Sequence, residues 1–330
     1  MRIAGAFLVF WSACAANGYA RDIFVSNQAG DDRFDGSSAV TQGSQVGPVR
    51  TIARALRGAA PGDRIVLAAT NEPYRESITL QSAQHSGIPD RPFQLLGNGA
   101  ILDGLAPIPA GAWEHVRGDV FRFRPARTSY QLLFLEGRPA VRVPSDQTTR
   151  RLPALKPKEW CLFDRHIYFC VEPGKLPDAY GLQFAFLTVG ITLYEVRNVV
   201  IRDLTVQGFQ LDGINAHDGV VNARLSGVTC RGNARSGVSV GGASRVRLEN
   251  CLLGGNGAAQ LRTEGFSHTR LLDCRLLDAT APPLVREGGE VLTEKSSPPP
   301  DQPATQSTTS RRDAPAILSA RRSLFQASTY

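Results

Sequence analysis

The chain has 330 residues, enough for one large domain or two of ordinary size. It carries 37 Lys and Arg against 30 Asp and Glu, a net charge of +7. This mild excess favours anionic partners such as uronic-acid polysaccharides or a cell envelope, and no Lys/Arg run is dense enough to indicate a nucleic-acid-binding protein.

The amino terminus has the composition of an export signal. Residues 1–20 contain one basic residue, an apolar run from Ile3 to Trp11 and small residues before Ala20. This pattern predicts a secretory signal peptide cleaved after Ala20, so we expect a secreted, periplasmic or cell-surface protein. A lipoprotein signal with Cys14 as the lipidated residue is the alternative. No other apolar run is long enough to cross a membrane.

A short strand and a helix follow the signal. The segment DIFVS at 22–26 predicts the strand. Val49, Ile52, Leu56 and Ala59 have helical spacing, and the Pro-Gly pair that follows ends the pattern, which predicts one amphipathic helix. We interpret this helix as a cap over the open end of the stacked strands described below.

The stretch from about residue 100 to about 190 is rich in aromatic residues and has no fixed period. Alternation in VFRFRPA and HIYFCVE predicts strands, so we expect a β-rich insertion on the side of a solenoid, where insertions often border a binding groove. Exposed aromatic rings stack on sugars, which makes Trp160 a candidate substrate-binding residue. The alternative is that the ring belongs to a core.

Five cysteines follow the predicted signal, an odd number that leaves at least one thiol without an intramolecular partner. The segment WCLFDRHIYFC predicts a hairpin with its turn at Arg165 and His166, which places Cys161 opposite Cys170. An exported protein permits a disulfide there, and free thiols are the alternative. Cys251 and Cys274 occupy equivalent positions of consecutive repeats, where buried thiols are favoured over a bridge.

The strongest feature of the sequence is a phrase repeated four times between Arg197 and Glu287. Its form is apolar, any, Asp/Asn/Gly, apolar, any, apolar, and the copies begin 24, 23 and 23 residues apart. Such a period indicates units that stack around one core, and the alternation inside each unit indicates strands. We therefore predict an all-β fold, a parallel β-helix. The copies are IRDLTV from Ile201, LSGVTC from Leu225, LENCLL from Leu248 and LLDCRL from Leu271.

A second strand follows further round each coil. The period places its apolar residues in one inward column, Ile214, Val238, Leu261 and Leu284. Because strand side chains alternate, their neighbours form two outward columns, which we call the patch. The columns of the patch are Asn215, Ser239, Arg262 and Val285, and His217, Gly241, Glu264 and Glu287.

The order of segments before the repeats resembles a known superfamily. The FVS strand, a Gly/Asp-rich loop, GPVRTIARAL, APGDRIVLA and YRESITL come in this order, followed by HSGIPDRPFQLLGNGAILDG, LFLEGRPAVRVPS and the cysteine hairpin. Residues 22–290 are in this respect similar to secreted right-handed parallel β-helix proteins of the pectate-lyase-like superfamily. The resemblance implies the fold with a right-handed winding. It does not imply one activity, because the superfamily includes lyases, hydrolases and epimerases.

The patch and its border hold groups that polysaccharide chemistry requires. β-Elimination needs a base for the C5 proton of a uronic acid, a cation for the sugar carboxylate and an acid for the departing oxygen. We expect Arg262 or His217 to be the base, and Asp212 or Glu264 to be the acid. A hydrolase would instead use two carboxylates a few ångströms apart.

Substrate and metal ligands are expected beside these groups. Asn215 and Ser239 are the candidate substrate-binding residues of the patch. The resemblance implies carboxylate-bound Ca²⁺ near the base, with Asp218 and Glu287 as candidate ligands. The chain departs from the family pattern in having no Lys in the coils, and it has Ser236-Gly237-Val238 where β-helical polygalacturonases would have a paired Asp.

The hypothesis from the sequence is an exported, monomeric polysaccharide lyase that acts on an acidic glycan. A glycoside hydrolase and a non-catalytic carbohydrate-binding or cell-surface protein are the alternatives. We expect residues 21–295 to form the β-helix domain. From Ser296 the chain is rich in Pro, Ser and Thr, so residues 296–330 are predicted to be a disordered tail.

Overall fold

The computed structural model describes residues 20–128, 130–146, 148 and 151–296. The predicted signal peptide, apart from Ala20, and the predicted tail after Ser296 lie outside the described residues, so both stay predictions. Within the described part of the chain, no helix is long and apolar enough to cross a membrane.

The amino-terminal part supplies five strands and one helix. Their bounds are β1 (Asp22–Val25), α1 (Ile52–Gly58), β2 (Arg64–Leu67), β3 (Ile78–Gln81), β4 (Phe93–Leu96) and β5 (Ile101–Asp103).

Helix α1 lies against β1, β2 and β3. Ile52 and Leu56 are buried, as their spacing predicts. The first turn is well capped, because Thr51 accepts the Arg54 N–H at 3.1 Å and the Glu76 carboxylate accepts the N–H groups of Ile52 and Ala53, each at 2.8 Å. Burial of the carboxyl raises the pKa of Glu76 despite these bonds. The helix covers the first coil, which confirms the predicted cap.

A β-rich insertion follows β5. Its strands form two small, mostly antiparallel sheets with a separate core around Trp160, Phe169 and Phe184, which confirms the expected lateral insertion. The bounds are β6 (Leu105–Pro107), β7 (Glu114–Arg117), β8 (Val120–Phe123), β9 (Leu133–Leu135), β10 (Arg138–Pro139), β11 (Val141–Arg142), β12 (Glu159–Phe163), β13 (His166–Cys170), a 3-10 turn (Pro177–Tyr180) and β14 (Gln183–Ala185).

The remaining strands complete the solenoid. They are β15 (Ile191–Tyr194), β16 (Arg197–Arg202), β17 (Thr205–Gln207), β18 (Asp212–Asp218), β19 (Val221–Ser226), β20 (Thr229–Arg231), β21 (Ser236–Val240), β22 (Arg245–Glu249), β23 (Leu252–Gly254), β24 (Ala259–Leu272), β25 (Arg275–Leu276) and β26 (Leu284–Glu294).

The solenoid has three faces of parallel strands. Face 1 contains β3, β15, β18, β21 and the first half of β24; face 2 contains β1, β2, β4, β16, β19, β22 and the second half of β24; face 3 contains β5, β17, β20, β23 and β25. Strand β26 pairs along β24 on faces 1 and 2. Apolar side chains from all three faces fill the interior.

The register confirms the predicted stacking. On face 2, Ile201 pairs with Leu225, Leu225 with Leu248, and Leu248 with Leu271. Ile214 stacks with Val238, Leu261 and Leu284 on face 1. The repeats therefore form the parallel coils that the 23-residue period indicates.

The third position of the repeated phrase forms the corner between faces 2 and 3. Asp203, Gly227, Asn250 and Asp273 have φ of 52°, 64°, 52° and 51°. This left-handed conformation is tolerated best by Gly, Asn and Asp, which explains the residues found at that position.

The corner between faces 3 and 1 is held by buried amides. Asn233 Nδ2 donates to Asn256 Oδ1 at 3.0 Å, and Asn256 Nδ2 donates to Gln260 Oε1 at 2.8 Å. The Asn233 and Asn256 amides also bond to backbone groups at the turns, so this buried polar ladder fixes the spacing of consecutive coils.

The predicted disulfide is wrong in this structure. The hairpin turn lies at Asp164 and Arg165, one residue earlier than predicted, so Cys161 pairs with Tyr168 and is only diagonal to Cys170. Diagonal neighbours are about 7–8 Å apart, too far for a bridge. All five cysteines of the described residues are free, and this confirms the interpretation of Cys251 and Cys274 as thiols.

Candidate functional site

The two outward columns of the patch lie on face 1 as predicted. Asn215, Ser239 and Arg262 pair in sequence from coil to coil, and Glu264 pairs with Glu287. His217 lies on the outward side of β18, where the strand extends past its pairing with β21 and a register shift interrupts its pairing with β15. Neighbouring strands are about 4.8 Å apart, so His217 lies roughly two coil spacings from Glu264.

Arg262 is the centre of the patch. Its Nη2 contacts the Glu264 Oε2 atom at 3.5 Å and forms a shorter ion pair with Glu287 Oε2. The side chains of Glu264 and Glu287 are 48% and 50% exposed, so both carboxylates remain open to a ligand. Arg262 Nε is buried and has no hydrogen-bond partner among the described residues.

His217 is exposed and packs edge-on against Tyr194, with the ring centroids 6.1 Å apart. The charge of Glu195 raises the pKa of Tyr194, with a smaller contribution from Asp218. Gly241 separates His217 from Glu264, and a Cβ atom there would lie 2.8 Å from Glu264 Oε1. The glycine thus lets the Glu264 side chain lie across the neighbouring strand.

Asp212 is not part of the open patch, which corrects the prediction of a catalytic role. Its side chain is 0% exposed and is bound by Arg235 through two contacts and by Ser236 Oγ at 2.5 Å. The reason is strand parity, because Asp212 lies two residues before the inward Ile214.

Two predicted substrate-binding residues are also inaccessible. Trp160 is 0% exposed in the core of the insertion, and its Nε1 donates to the Ala140 carbonyl at 3.0 Å. Ser239 faces outward in register but is 1% exposed between its neighbours in the column. Asn215 is half-buried and remains available.

The predicted calcium ligands do not fit Ca²⁺. Asp218 Oδ1 accepts the N–H groups of Gly219 at 2.8 Å and Ala243 at 3.4 Å, while Glu287 is paired with Arg262. In the part of the chain that the structure describes, no three His, Cys, Asp or Glu side chains are placed to hold one metal ion. Calcium requires about six to eight oxygen ligands, which this arrangement does not supply.

A pocket that the sequence did not predict opens between the insertion and the start of face 1. Its volume is about 250 Å³, and it is lined by Arg127, Gln131 and the exposed Phe186, beside Ser77 and Thr188. Gln131 is 1% exposed, and its Oε1 has no partner among the described residues. No periodic signal in the insertion could have indicated this meeting of distant segments.

Arg235 lies close enough to the insertion and to the patch to interact with groups of both. The pKa of Arg235 is raised mainly by Asp212, and Tyr130 of the insertion and Glu264 of the patch contribute as well. Beyond the patch, Phe266 is 86% exposed at the bend of β24, two residues after Glu264. Face 1 is therefore flanked by exposed aromatic rings at both ends of its strands.

The charge of the patch is negative. Glu264 and Glu287 outnumber Arg262, Asp218 adds a carboxylate beside the patch, and the Asp212–Arg235 pair cancels itself. This negative charge disfavours the binding of a polyanion.

Comparison with known proteins agrees with this architecture. Residues 180–297 match the family model "Right handed beta helix region". A solved structure described as "Glycoside hydrolase" superposes with a TM-score of 0.56 at 11% identity, over 77% of this chain and 73% of that chain. The chain is a right-handed parallel β-helix. The fold implied by the resemblance to the pectate-lyase-like superfamily is thereby confirmed for this β-helix.

Two other solved structures match with lower TM-scores. "The complex structure of XylC with xylose" gives a TM-score of 0.38 at 12% identity, over 83% of this chain and 70% of that chain. "Crystal structure of pectate lyase Pel9A" gives 0.27 at 11% identity, over 85% and 79%. No curated protein matches the sequence.

Proposed function

We propose that this β-helix binds a polysaccharide along face 1 and hydrolyses it with Glu264 and Glu287. The observation that carries the proposal is that both carboxylates contact one guanidinium on an open, aromatic-flanked surface. Both Oε2 atoms contact the same Nη2 atom, and Glu264 pairs directly with Glu287 on adjacent strands about 4.8 Å apart, which favours the close carboxyl spacing of retaining glycosidases, ~5–5.5 Å.

The contacts of Arg262 distinguish the two carboxylates. Glu287 forms the shorter ion pair and is the ionised nucleophile that attacks the anomeric carbon. Glu264 is held less closely, at 3.5 Å, and donates its proton to the departing glycosidic oxygen. Water then cleaves the glycosyl ester on Glu287, with Glu264 acting as the base. Arg262 positions both groups.

The surroundings favour an uncharged sugar at this site. Phe186 and Phe266 present exposed rings on which pyranoses can stack. The negative excess of the patch disfavours a uronate, and Arg262 is already neutralised by carboxylates. We therefore place hydrolysis ahead of the β-elimination that the sequence favoured.

Non-catalytic glycan binding is the second candidate. It is favoured by the same ion pairs, because a carboxylate committed to Arg262 has to release it or share it before it can act as an acid. In that case face 1 would hold a sugar chain through the aromatic rings alone.

A reducing-end assay on neutral polysaccharides, with polygalacturonate and alginate in parallel, tests the proposal. The wild type should release reducing ends from a neutral polymer without unsaturated products. Glu264→Gln and Glu287→Gln should each lower the rate about 10³-fold. Glu114→Gln, which removes an exposed carboxylate of the insertion, is the matched control and should leave the rate unchanged.

Binding of a neutral polymer without any reducing-end release would support the second candidate and overturn hydrolysis. Formation of unsaturated products from polygalacturonate or alginate would support the lyase hypothesis instead, provided that His217→Gln abolishes it. Calcium and a chelator should each leave the hydrolytic rate as it is.

A further inference from the structure

Face 2 carries a ladder of arginines that face 1 lacks. Arg224, Arg247 and Arg270 pair directly with one another on β19, β22 and β24, at 23-residue intervals in the sequence. All three side chains are exposed. Like charges directly opposite each other destabilise a sheet, so the ladder is not explained by folding.

The carboxylates of this face do not balance the ladder. Glu249 contacts Arg247 at 2.7 Å and Arg224 at 3.9 Å. Arg245 and Arg270 have no ion-pair partner among the described residues. Glu290 is used by His268, at 3.1 Å. The face therefore presents guanidinium groups whose charge is available to a ligand.

A groove runs between two outward columns of face 2. One column is Asn222, Arg245, His268 and Glu290, and the other contains Arg247, Arg270 and Leu292. The groove has a volume of about 390 Å³ and follows the axis of the solenoid across four strands. Its cations recur at the coil spacing of about 4.8 Å.

We propose that this groove binds a linear anionic polysaccharide, a polyuronate or a sulfated glycan, parallel to the solenoid axis. A polymer with an anionic group on successive sugars matches a row of cations repeated from coil to coil. A nucleic acid fits less well, because no Phe, Tyr or Trp lines the groove for base stacking. The site is on a different face from the Glu264 and Glu287 pair and does not depend on the proposed hydrolysis.

Binding isotherms over a range of NaCl concentrations test the groove, with polygalacturonate, heparin and single-stranded DNA as probes. Arg247→Gln combined with Arg270→Gln should weaken polysaccharide binding about 10-fold or more and lower the salt slope by about two. The matched control, Arg231→Gln combined with Arg275→Gln, removes the same charge from exposed positions of face 3 and should change affinity less than about twofold.

The groove variant should keep the reducing-end activity, and Glu287→Gln should keep full polygalacturonate or heparin affinity. Each result separates this proposal from the proposed function. Preference between the two polysaccharides shows whether carboxylate or sulfate is the ligand group. Equal affinity of the groove variant and the wild type would overturn the proposal, and so would tighter binding of DNA than of both polysaccharides.

Discussion

The guanidinium of Arg235 binds the buried carboxylate of Asp212 through two parallel contacts, with Nε donating to Oδ1 at 2.9 Å and Nη2 donating to Oδ2. Asp212 is fully buried, whereas the Arg235 side chain is 23% exposed. The pair joins β18 to the start of β21 at the edge of face 1. It anchors the coils beside the patch rather than taking part in its chemistry.

Arg235→Ala should destabilise the protein by about 3 kcal/mol, because it leaves a buried carboxylate without its cation. Urea denaturation measures this loss. Arg231→Ala, an exposed arginine a few residues away, should change the free energy of unfolding by less than about 0.5 kcal/mol. Equal effects of the two substitutions would refute the anchoring role.

Asn256→Ala should lower the free energy of unfolding by about 3 kcal/mol. The substitution removes the buried acceptor of the Asn233 amide and the side-chain donor to the Gln260 amide and the Cys230 carbonyl. Ser226→Ala, at a half-buried outward position, is the comparison and should cost less than about 0.5 kcal/mol. A small effect at Asn256 would mean that the ladder does not hold the coils.

His85 should make stability dependent on pH. Burial lowers the pKa of His85, and the ring accepts the Gln81 N–H at Nδ1 while Nε2 donates to the Leu56 carbonyl at 3.1 Å. The folded state therefore binds a proton less readily than the unfolded chain. Its stabilising contribution is present above the unfolded value of about 6.5 and is lost as pH falls through the folded pKa.

The free energy of unfolding should thus fall as the pH drops below about 6.5, and His85→Gln should reduce that fall. Glutamine can accept and donate in place of the ring but does not titrate. An identical pH dependence in the variant would show that other groups cause it.

Phe266→Ala should weaken glycan binding about 10-fold without changing the thermal midpoint, because an exposed ring contributes to sugar stacking and little to the core. Isothermal titration with the polymer that is hydrolysed measures the affinity. Val141→Ala, an exposed apolar side chain of the insertion, should have no effect on affinity. A Phe266 variant with wild-type affinity would remove this ring from the site.

The fold was predictable because its information is periodic. One repeat of about 23 residues sets the register of Ile201 with Leu225, and the left-handed corner explains the Asp, Asn or Gly of each phrase. The same rule of alternation would have placed Asp212 inward with Ile214. The 23-residue spacing of Arg224, Arg247 and Arg270 would likewise have predicted that they stack on one face.

The sequence predicted that the insertion is β-rich, but not the register of its hairpin or its long-range contacts. Its hairpin turn uses Asp164 and Arg165 at φ of 42° and 61°, and an arginine gives no turn signal in the sequence. The shift of one residue moved Cys161 away from Cys170. The meeting of Gln131 with Phe186 depends on long-range packing, which no local pattern encodes.

The central claim is hydrolysis by two closely spaced carboxylates on Arg262. Proton NMR of the first reducing sugar released from a neutral polysaccharide tests it directly, because the anomeric signal is read before mutarotation. We predict that the product retains the configuration of the cleaved bond, and that Glu287→Gln releases it about 10³-fold more slowly. An inverted product, an unsaturated product or equal release by Glu287→Gln would contradict the claim.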